Sequence, residues 1–534
     1  MLSVLLAGLL FAQEREPGSP GDERLGTVEF STSCSAAARP LFNRAVALLH
    51  SFEFGRAIDG FHATLTVDPS CAMAEWGIAI SRWGNPFAPG VRPPAPLQEG
   101  RDAVQRAAGI GPATARERAY VAAASQLYAG FETVDQRARV LAYREAMAGV
   151  AKSYPDDTEA TIFYALALAA AAPPTDKTYA DLLKAGELLE GILVSQPDHP
   201  GLSHYIIHSY DVPALADRAL DAARRYATIA PSAPHALHMP SHTFTRVGDW
   251  QRSIDSNLAS GAVARRDRST AEELHAMDYR TYAYLQTARD RDARGVVDAL
   301  PEVRARFDPD AIGSAAPGSA GVFALAAIPA RYALERGAWT EAAQLVPRPS
   351  AYPYADALTY FAKALGAART GQTAAARSAI AALGAITHRL REQQELYWAG
   401  QTEIQRRSAA AWLALAEGRR REALAEMRAA AALEDQTEKS AVTPGPLAPA
   451  RELLAEMLLQ MHRPAGALAA FEATLEKEPN RFRALSGAVR SAALAGDRQK
   501  ARDYSASLLK ICERADMPER PELRQARRLA GRQP

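Results

Sequence analysis

The sequence has little of what a β-sheet, a highly charged surface or a nucleotide site requires. Aromatic residues make up only 7% of its 534 residues, and no long stretch alternates apolar and polar residues as a strand does. Its 62 basic and 61 acidic residues are finely interspersed, which argues against nucleic acid or an anionic membrane as a partner. No GxGxxG, P-loop or GxSxG motif stands between a strand and a helix, so nucleotide binding and triad hydrolysis have no support.

The chain also lacks a later apolar run of about 20 residues, so we expect no membrane span. The N-terminal segment, 1–12, is apolar from Leu2 to Ala12, and a polar, Pro- and Gly-rich linker follows at 13–33. This pattern is typical of a secretory signal cleaved after Ala12, which predicts a periplasmic or secreted protein that begins near Gln13. No Lys or Arg precedes the apolar run, so the true start codon stays open, as does another role for the segment.

Three cysteines are too few for a disulfide framework. Cys34 precedes the first predicted repeat helix and Cys71 opens the second repeat, so the two lie at comparable ends of adjacent helices. They could pair in an exported protein, or they could be two small buried thiols. Cys512 is left over, and no CxxC or CxxCH motif suggests haem or a zinc ribbon.

The sequence does contain alanine-rich helical segments with a repeated signature. An Ala, a Phe four positions later and a closing Pro, as in the tetratricopeptide repeat (TPR), occur near both ends, at Ala57, Phe61 and Pro69 and at Ala467, Phe471 and Pro479. This repeat is an antiparallel helix pair whose copies stack, so we predict an all-α, TPR-like superhelical solenoid. The Gly- and Ser-rich stretch 308–320 predicts a linker between solenoid halves at 34–307 and 321–534.

Histidines concentrate between residues 200 and 249 and indicate a site. His204 and His208 are four residues apart, and His238 and His242 repeat that spacing 34 residues later, which is one TPR period. An i,i+4 pair shares one face of a helix, and neighbouring helices pack roughly 10 Å apart. We therefore predict that these four imidazoles converge on one metal ion.

Several phrases resemble a bacterial family of exported TPR proteins: TSCSAAARPLFNRAVALLHSFEF, DPSCAMAEWGIAIS, APHALHMPSH, LYWAGQTEIQ and TEKSAVTPGPLAPARELLAEMLLQ. The resemblance covers nearly the whole chain and implies the repeat fold, but no particular activity. In peptide-binding TPR proteins, positions two, five, nine, twelve and thirteen of the first helix face a concave groove. By that resemblance the groove receives the four histidines together with His235, His275, Asp278 and Asp211. His50, at position thirteen of the first repeat, would lie too far along the solenoid to join them.

The predicted metal ligands are His204, His208, His238 and His242. His235, His275 and the carboxylate of Asp278 are predicted as additional or outer ligands. Imidazole favours copper or zinc, and the carboxylates of Asp211 and Asp278 leave room for iron. No HExxH motif occurs, so no metalloprotease base is evident.

Two other functions stay open for the same groove. A metalloenzyme would need a general base or an open ligand position, for which Asp211, Asp278 and Tyr210 are candidates. A metal-free groove would instead bind a peptide, a protein or a small ligand, or its histidines would be purely structural. Trp76 could line such a groove, although packing in the core of the second repeat is the other role for this residue.

Overall fold

The computed structural model describes residues 23–88, 90–311, 313 and 315–531. The predicted signal segment, 1–12, and the linker residues 13–22 lie outside the described residues. Within these ranges all regular elements are helices and no strand occurs, which confirms the all-α prediction. In the same part of the chain, no helix combines the length and the apolarity that crossing a membrane requires.

The helices follow one another with short connections, and a 3-10 turn, Ala216–Ala219, precedes α10. Their bounds are α1 Arg39–His50, α2 Phe54–Val67, α3 Ala72–Trp83, α4 Pro94–Ile110, α5 Ala115–Gln126, α6 Gln136–Ser153, α7 Thr158–Ala171, α8 Ala180–Leu193, α9 Pro200–Ser209, α10 Leu220–Ile229, α11 Pro234–His238, α12 Pro240–Arg246, α13 Trp250–Arg266, α14 Thr270–Gln286, α15 Asp290–Ala305, α16 Gly318–Glu335, α17 Trp339–Gln344, α18 Pro353–Arg369, α19 Thr373–Glu392, α20 Leu396–Ala416, α21 Arg420–Glu434, α22 Ala450–Gln460, α23 Pro464–Lys477, α24 Phe482–Ala495, α25 Arg498–Ile511 and α26 Pro521–Leu529.

Consecutive helices pack as antiparallel pairs. The first helices of neighbouring pairs also touch: α7 contacts α9, and α14 contacts α16. Each pair therefore buries its apolar face against the next pair, and the chain forms a TPR-like superhelical solenoid. Because α16 packs directly on α14, the stack continues across the segment 308–320. The division into halves at 34–307 and 321–534 stays a prediction.

Glycines let the signature phenylalanines pack against the next helix. Phe61 and Phe471 are both at most 1% exposed. A Cβ atom on Gly77 of α3 would lie 2.3 Å from the ring of Phe61, and one on Gly487 of α24 would lie 2.2 Å from the ring of Phe471. The two contacts occupy equivalent places in distant repeats, so the repeat signature includes this glycine as well as the Ala, Phe and Pro.

We expect Gly77→Ala to lower the free energy of unfolding by about 1–3 kcal/mol, because the added methyl group overpacks the contact with Phe61. Urea denaturation followed by circular dichroism measures the change. The matched control is Gly109→Ala on α4, where an added Cβ atom meets nothing within 4 Å. That control should be neutral or stabilising, since alanine favours the helix by up to about 1 kcal/mol. Equal effects of the two substitutions would contradict the packing argument.

The segment before α1 is packed rather than extended into solvent. Residues 23–33, predicted to end a polar linker, bury Leu25 and Phe30. The ring of Phe30 packs edge-on against Trp76, which is 1% exposed. Trp76 therefore belongs to the core, and its prediction as a groove residue is wrong, because the side of α3 that carries it faces α1 and α5 rather than an open surface.

A disulfide joins the start of the first repeat to the second. Cys34 and Cys71 are bonded, with their Cα atoms 4.8 Å apart, so of the two alternatives the bridge is the one present. Cys512 is a buried free thiol near the C-terminal end. The bridge closes a 37-residue separation and restrains the first helix pair.

Three irregular segments, the described parts of 84–93 and 306–317 together with 435–449, lie against the inner helices of the solenoid. The side chain of Asn85 donates from Nδ2 to the carbonyl oxygen of Ala315 at 3.0 Å, and so joins the first two segments. The third segment crosses to the N-terminal repeats, where the backbone N–H of Glu438 donates to Pro174 at 3.2 Å. These connections therefore cover the histidine-bearing part of the predicted groove, and the open groove itself stays a prediction.

Candidate metal centre

Six histidines meet in the interior of the solenoid. Their positions are His204 and His208 on α9, His235 and His238 on α11, His242 on α12 and His275 on α14. All six are at most 6% exposed. Helices α9, α11 and α12 each carry a proline at their first turn, which defines where each helix starts. Since α9, α11 and α14 come from successive repeats, stacking brings their rings to one place.

The six rings form two triads, and within each triad one ligand nitrogen per ring lies within 4.8 Å of the others. The first triad is His204, His208 and His235, and the second is His238, His242 and His275. This grouping replaces the predicted square of four rings. It arises because His235, one turn before His238 on α11, reaches the pair on α9, while His275 completes the second pair.

Two of these histidines donate a hydrogen bond from Nδ1 to a carbonyl oxygen. His204 Nδ1 lies 2.6 Å from the backbone oxygen of His50, and His238 Nδ1 lies 2.7 Å from Asn257 Oδ1. The amide of Asn257 is oriented by its own bond from Nδ2 to the carbonyl of Ser253. Because a carbonyl oxygen only accepts, both Nδ1 atoms carry the proton and both Nε2 atoms are left with a free lone pair.

Two further histidines donate to carboxylates. His235 Nδ1 lies 3.1 Å from Glu272 Oε1, and His242 Nδ1 lies 3.0 Å from Asp211 Oδ2. Burial would raise the pKa of Asp211. The ammonium of Lys439 and the guanidinium of Arg246 outweigh burial and hold that pKa well below its ordinary value. A carboxylate that holds Nδ1 while Nε2 stays free is the usual outer arrangement of histidine–metal sites.

The free nitrogens face each other in pairs. His204 Nε2 lies 3.2 Å from His235 Nε2, and His238 Nε2 lies 3.0 Å from His242 Nε2. Burial lowers the pKa of all four imidazoles, which opposes placing a proton in either gap. Two nitrogens bound to one tetrahedral ion at 2.0–2.1 Å lie roughly 3.3 Å apart. The spacing of both pairs is therefore that of two ligands sharing a cation.

The third ring of each triad has a nitrogen without a hydrogen-bond partner among the described residues. These atoms are His208 Nε2 and His275 Nδ1. Burial lowers the pKa of both rings well below the ordinary value, so both are neutral at pH 7. Buried polar atoms are rarely left unpaired, and each such atom calls for an explanation. An ion in each triad would supply one.

Asp278 and Tyr210 do not reach the triads, so these two predictions are wrong. Asp278 follows His275 on α14 by less than one turn, but its carboxylate pairs with Arg331 at 3.0 Å, and both side chains are fully buried. Tyr210 lies over Gly186, where an added Cβ atom would meet its ring at 2.2 Å. Both side chains are therefore engaged outside the triads.

The interior segments cover the triads. The ring of Phe87 stacks on His208 with centroids 4.0 Å apart. A cavity of about 20 Å³ lies beside the rings and is lined also by Ala315, Ala316 and Val442, which come from the other two segments. The centre is therefore enclosed by the connections between helices, and access to it depends on those segments.

A second group of side chains lies beside the first triad. Glu159 accepts hydrogen bonds from His50 Nε2 at 2.9 Å and from His199 Nε2 at 3.0 Å. His50 was predicted to lie too far away, but α1 packs on α9, and the His50 carbonyl holds His204. His199 and Glu159 carry no sequence motif. The contact between His50 and His204 could be predicted only from the packing of the first repeat against the fifth.

The fold and this site together define a TPR-like helical solenoid with a buried polyhistidine centre. No protein-family model matches the chain, and no curated protein sequence matches it. Similar solved structures include the human IFIT1 dimer with m7Gppp-AAAA, at 10% identity and a TM-score of 0.38 over 90% of this chain and 96% of that one. Another is a chain of the APC/C hetero-tetramer Cut9-Hcn1, at 12% identity and 0.33 over 92% and 90%. Likeness at this level says nothing about the site.

Proposed function

We propose that this protein binds transition-metal ions through its six buried histidines. The observation that carries the proposal is the pair of Nε2–Nε2 contacts, 3.2 Å in the first triad and 3.0 Å in the second, between nitrogens whose rings already donate from Nδ1. Without a cation, two lone pairs would repel each other at each contact. A bound ion turns both into ligands, and the acceptors behind the rings hold the geometry.

Copper or zinc fits this donor set better than iron. Every candidate ligand is an imidazole, whereas iron sites usually add a carboxylate. The carboxylates of Asp211 and Asp278 are engaged, the first by His242, Lys439 and Arg246 and the second by Arg331. Neither supplies an oxygen ligand to the triads. The donor set is therefore nitrogen alone.

A metal-dependent enzyme is the second candidate, because an ion held by three imidazoles keeps an open position and the cavity beside the rings faces it. A peptide-binding groove has less support at the histidines, since the described part of 84–93 and the segment 435–449 cover them. The two metal-based functions differ in whether a substrate reaches the ions.

We expect wild-type protein, loaded with zinc or copper and then dialysed, to retain stoichiometric metal. The double variant His208→Ala with His242→Ala removes one ligand from each triad and should lose it, since two imidazoles hold an ion far more weakly than three. Elemental analysis of the dialysed proteins measures the retained metal. Circular dichroism verifies that both proteins stay helical.

The matched control is His62→Ala with His388→Ala, which removes two exposed histidines outside the triads. That control should retain as much metal as the wild type. The proposal fails if wild type and the His208/His242 variant retain equal metal after dialysis, or if the control loses as much as that variant.

We also propose that the protein is exported. The apolar start of the sequence and the Cys34–Cys71 bridge support export, because disulfides persist in oxidising compartments. Thiol titration of protein taken from cells without reductant should find Cys512 alone after unfolding. Three titrating thiols would contradict export.

A further inference from the structure

The two triads share an open side. Within the first triad, the ring centroids of His204 lie 4.9 Å from His208 and 5.0 Å from His235, whereas His208 and His235 are 6.3 Å apart. The second triad has the same shape, with distances of 5.0, 4.5 and 6.3 Å, and its wide edge joins His242 to His275. In each triad, one ring therefore lies close to both others, and the widest gap separates those other two rings.

Both wide edges border the same cavity. The rings that line it are His208 and His235 from the first triad and His242 and His275 from the second. The narrow vertices, His204 and His238, do not line it. The cavity of about 20 Å³ has room for about one water-sized molecule. An ion seated in either triad would turn its open position toward this one small space.

The triads are also as close to each other as their own members are. The centroid distance is 5.9 Å between His208 and His242 and 5.9 Å between His235 and His238, which is less than the wide edge within each triad. In two-metal sites the ions lie roughly 3.5–4 Å apart. Because facing rings of the two triads have centroids 5.9 Å apart and border one cavity, two ions held by the triads would face the same small space.

We propose that the six histidines form a dinuclear centre, with one ion in each triad and one small oxygen ligand, such as hydroxide, bridging the ions in the shared cavity. This inference rests on the proposed metal-binding function and adds the number of ions and the ligand between them. The negative charge of a bridging anion also offsets part of the positive charge of the two metal ions, which neutral imidazoles do not offset. Glu272 and Asp211 add negative charge behind one ring of each triad.

Copper(II) is the probe that tests the inference, because two copper ions joined by an oxygen bridge couple magnetically and lose their paramagnetic resonance signal. Full-length protein is loaded with copper(II) at pH 7.5 and dialysed, and its copper is counted and its spins are quantified. The wild type should hold two copper ions per chain with a resonance signal well below that of two isolated ions. His208→Ala and His275→Ala, one in each triad, should each hold one ion with a full signal.

These two variants are chosen because one nitrogen of each ring, His208 Nε2 and His275 Nδ1, lacks a hydrogen-bond partner among the described residues. One copper ion per wild-type chain would overturn the dinuclear centre while leaving metal binding intact. Two ions with the full signal of isolated spins would overturn the shared ligand. No retained copper in the wild type would overturn the proposed function itself, and the inference with it.

Discussion

The metal-free protein is expected to lose stability steeply as the pH falls below about 6.5. Burial lowers the pKa of seven histidines, for His238 to about 3. The set is His50, His204, His208, His235, His238, His242 and His275. In the unfolded chain each imidazole takes up a proton near pH 6.5. Below that pH the unfolded state binds more protons than the folded state, so acid favours unfolding.

Buried carboxyl groups such as Glu53 and Glu434 act in the opposite direction. Burial raises the pKa of Glu53 and of Glu434 to about 8 in each case. Between pH 8 and about 4.5 these groups are protonated in the folded state alone, so their contribution stabilises the fold as the pH falls. The histidines outnumber these carboxyl groups, so the net effect of acid is destabilising, at roughly 1.4 kcal/mol for each net proton and pH unit.

Stability should therefore be greatest near pH 7 and should fall away within about two pH units below it. Urea denaturation of metal-free protein at pH 7.5, 6.5, 5.5 and 5.0 measures the profile. The His208→Ala, His242→Ala double variant has two fewer buried imidazoles and should show a shallower slope. A wild-type profile that is flat between pH 7 and 5 would mean that these histidines are not buried as neutral rings. Bound zinc at about 1,000 times its Kd should add about 4 kcal/mol per site and move the loss to lower pH.

The repeat architecture could be predicted from sequence because it depends on local patterns. The Ala-x3-Phe spacing at Ala57 and Phe61 needs only the helical period and the close packing of a small residue against a large one. The same phase placed His204 and His238 in corresponding positions of neighbouring repeats. Consequently the membership of the histidine cluster was largely predictable, including His235 and His275.

The grouping and the enclosure of the histidines were not predictable from the repeat pattern. Which rings form a triad depends on the angle and offset between helices, and a shift of one helical turn exchanges His235 for His238. The segment 435–449 has no periodicity, so nothing local indicates that it folds back into the interior. Asp278 illustrates the same limit: its spacing from His275 suggested a shared site, but the buried cation that binds it, Arg331, is 53 residues away.

Removing the Arg331 guanidinium is expected to destabilise the fold by about 3–5 kcal/mol, because it leaves Asp278 buried without its partner. Both side chains are fully buried, and they are joined by two hydrogen bonds of 3.0 and 3.3 Å. Burial raises the pKa of Asp278, while Arg331 opposes that rise. In Arg331→Met the carboxyl group must be either protonated or exposed, and urea denaturation measures the loss. The control Arg294→Met breaks an ion pair with Asp298 that is more than half exposed, and should change stability by less than about 1 kcal/mol.

Arg331 also holds the segment that covers the histidines, and a second substitution separates its two roles. Its guanidinium donates to the Gly445 carbonyl at 3.3 Å and to Thr443 Oγ1 at 3.2 Å. Adding Asp278→Leu to Arg331→Met replaces the ion pair by apolar side chains and should restore more than half of the lost stability. It cannot restore the bonds to residues 443–445, so the double variant should release bound zinc to a chelator faster than the wild type. If stability returns and the release rate returns with it, the segment does not control access to the metal.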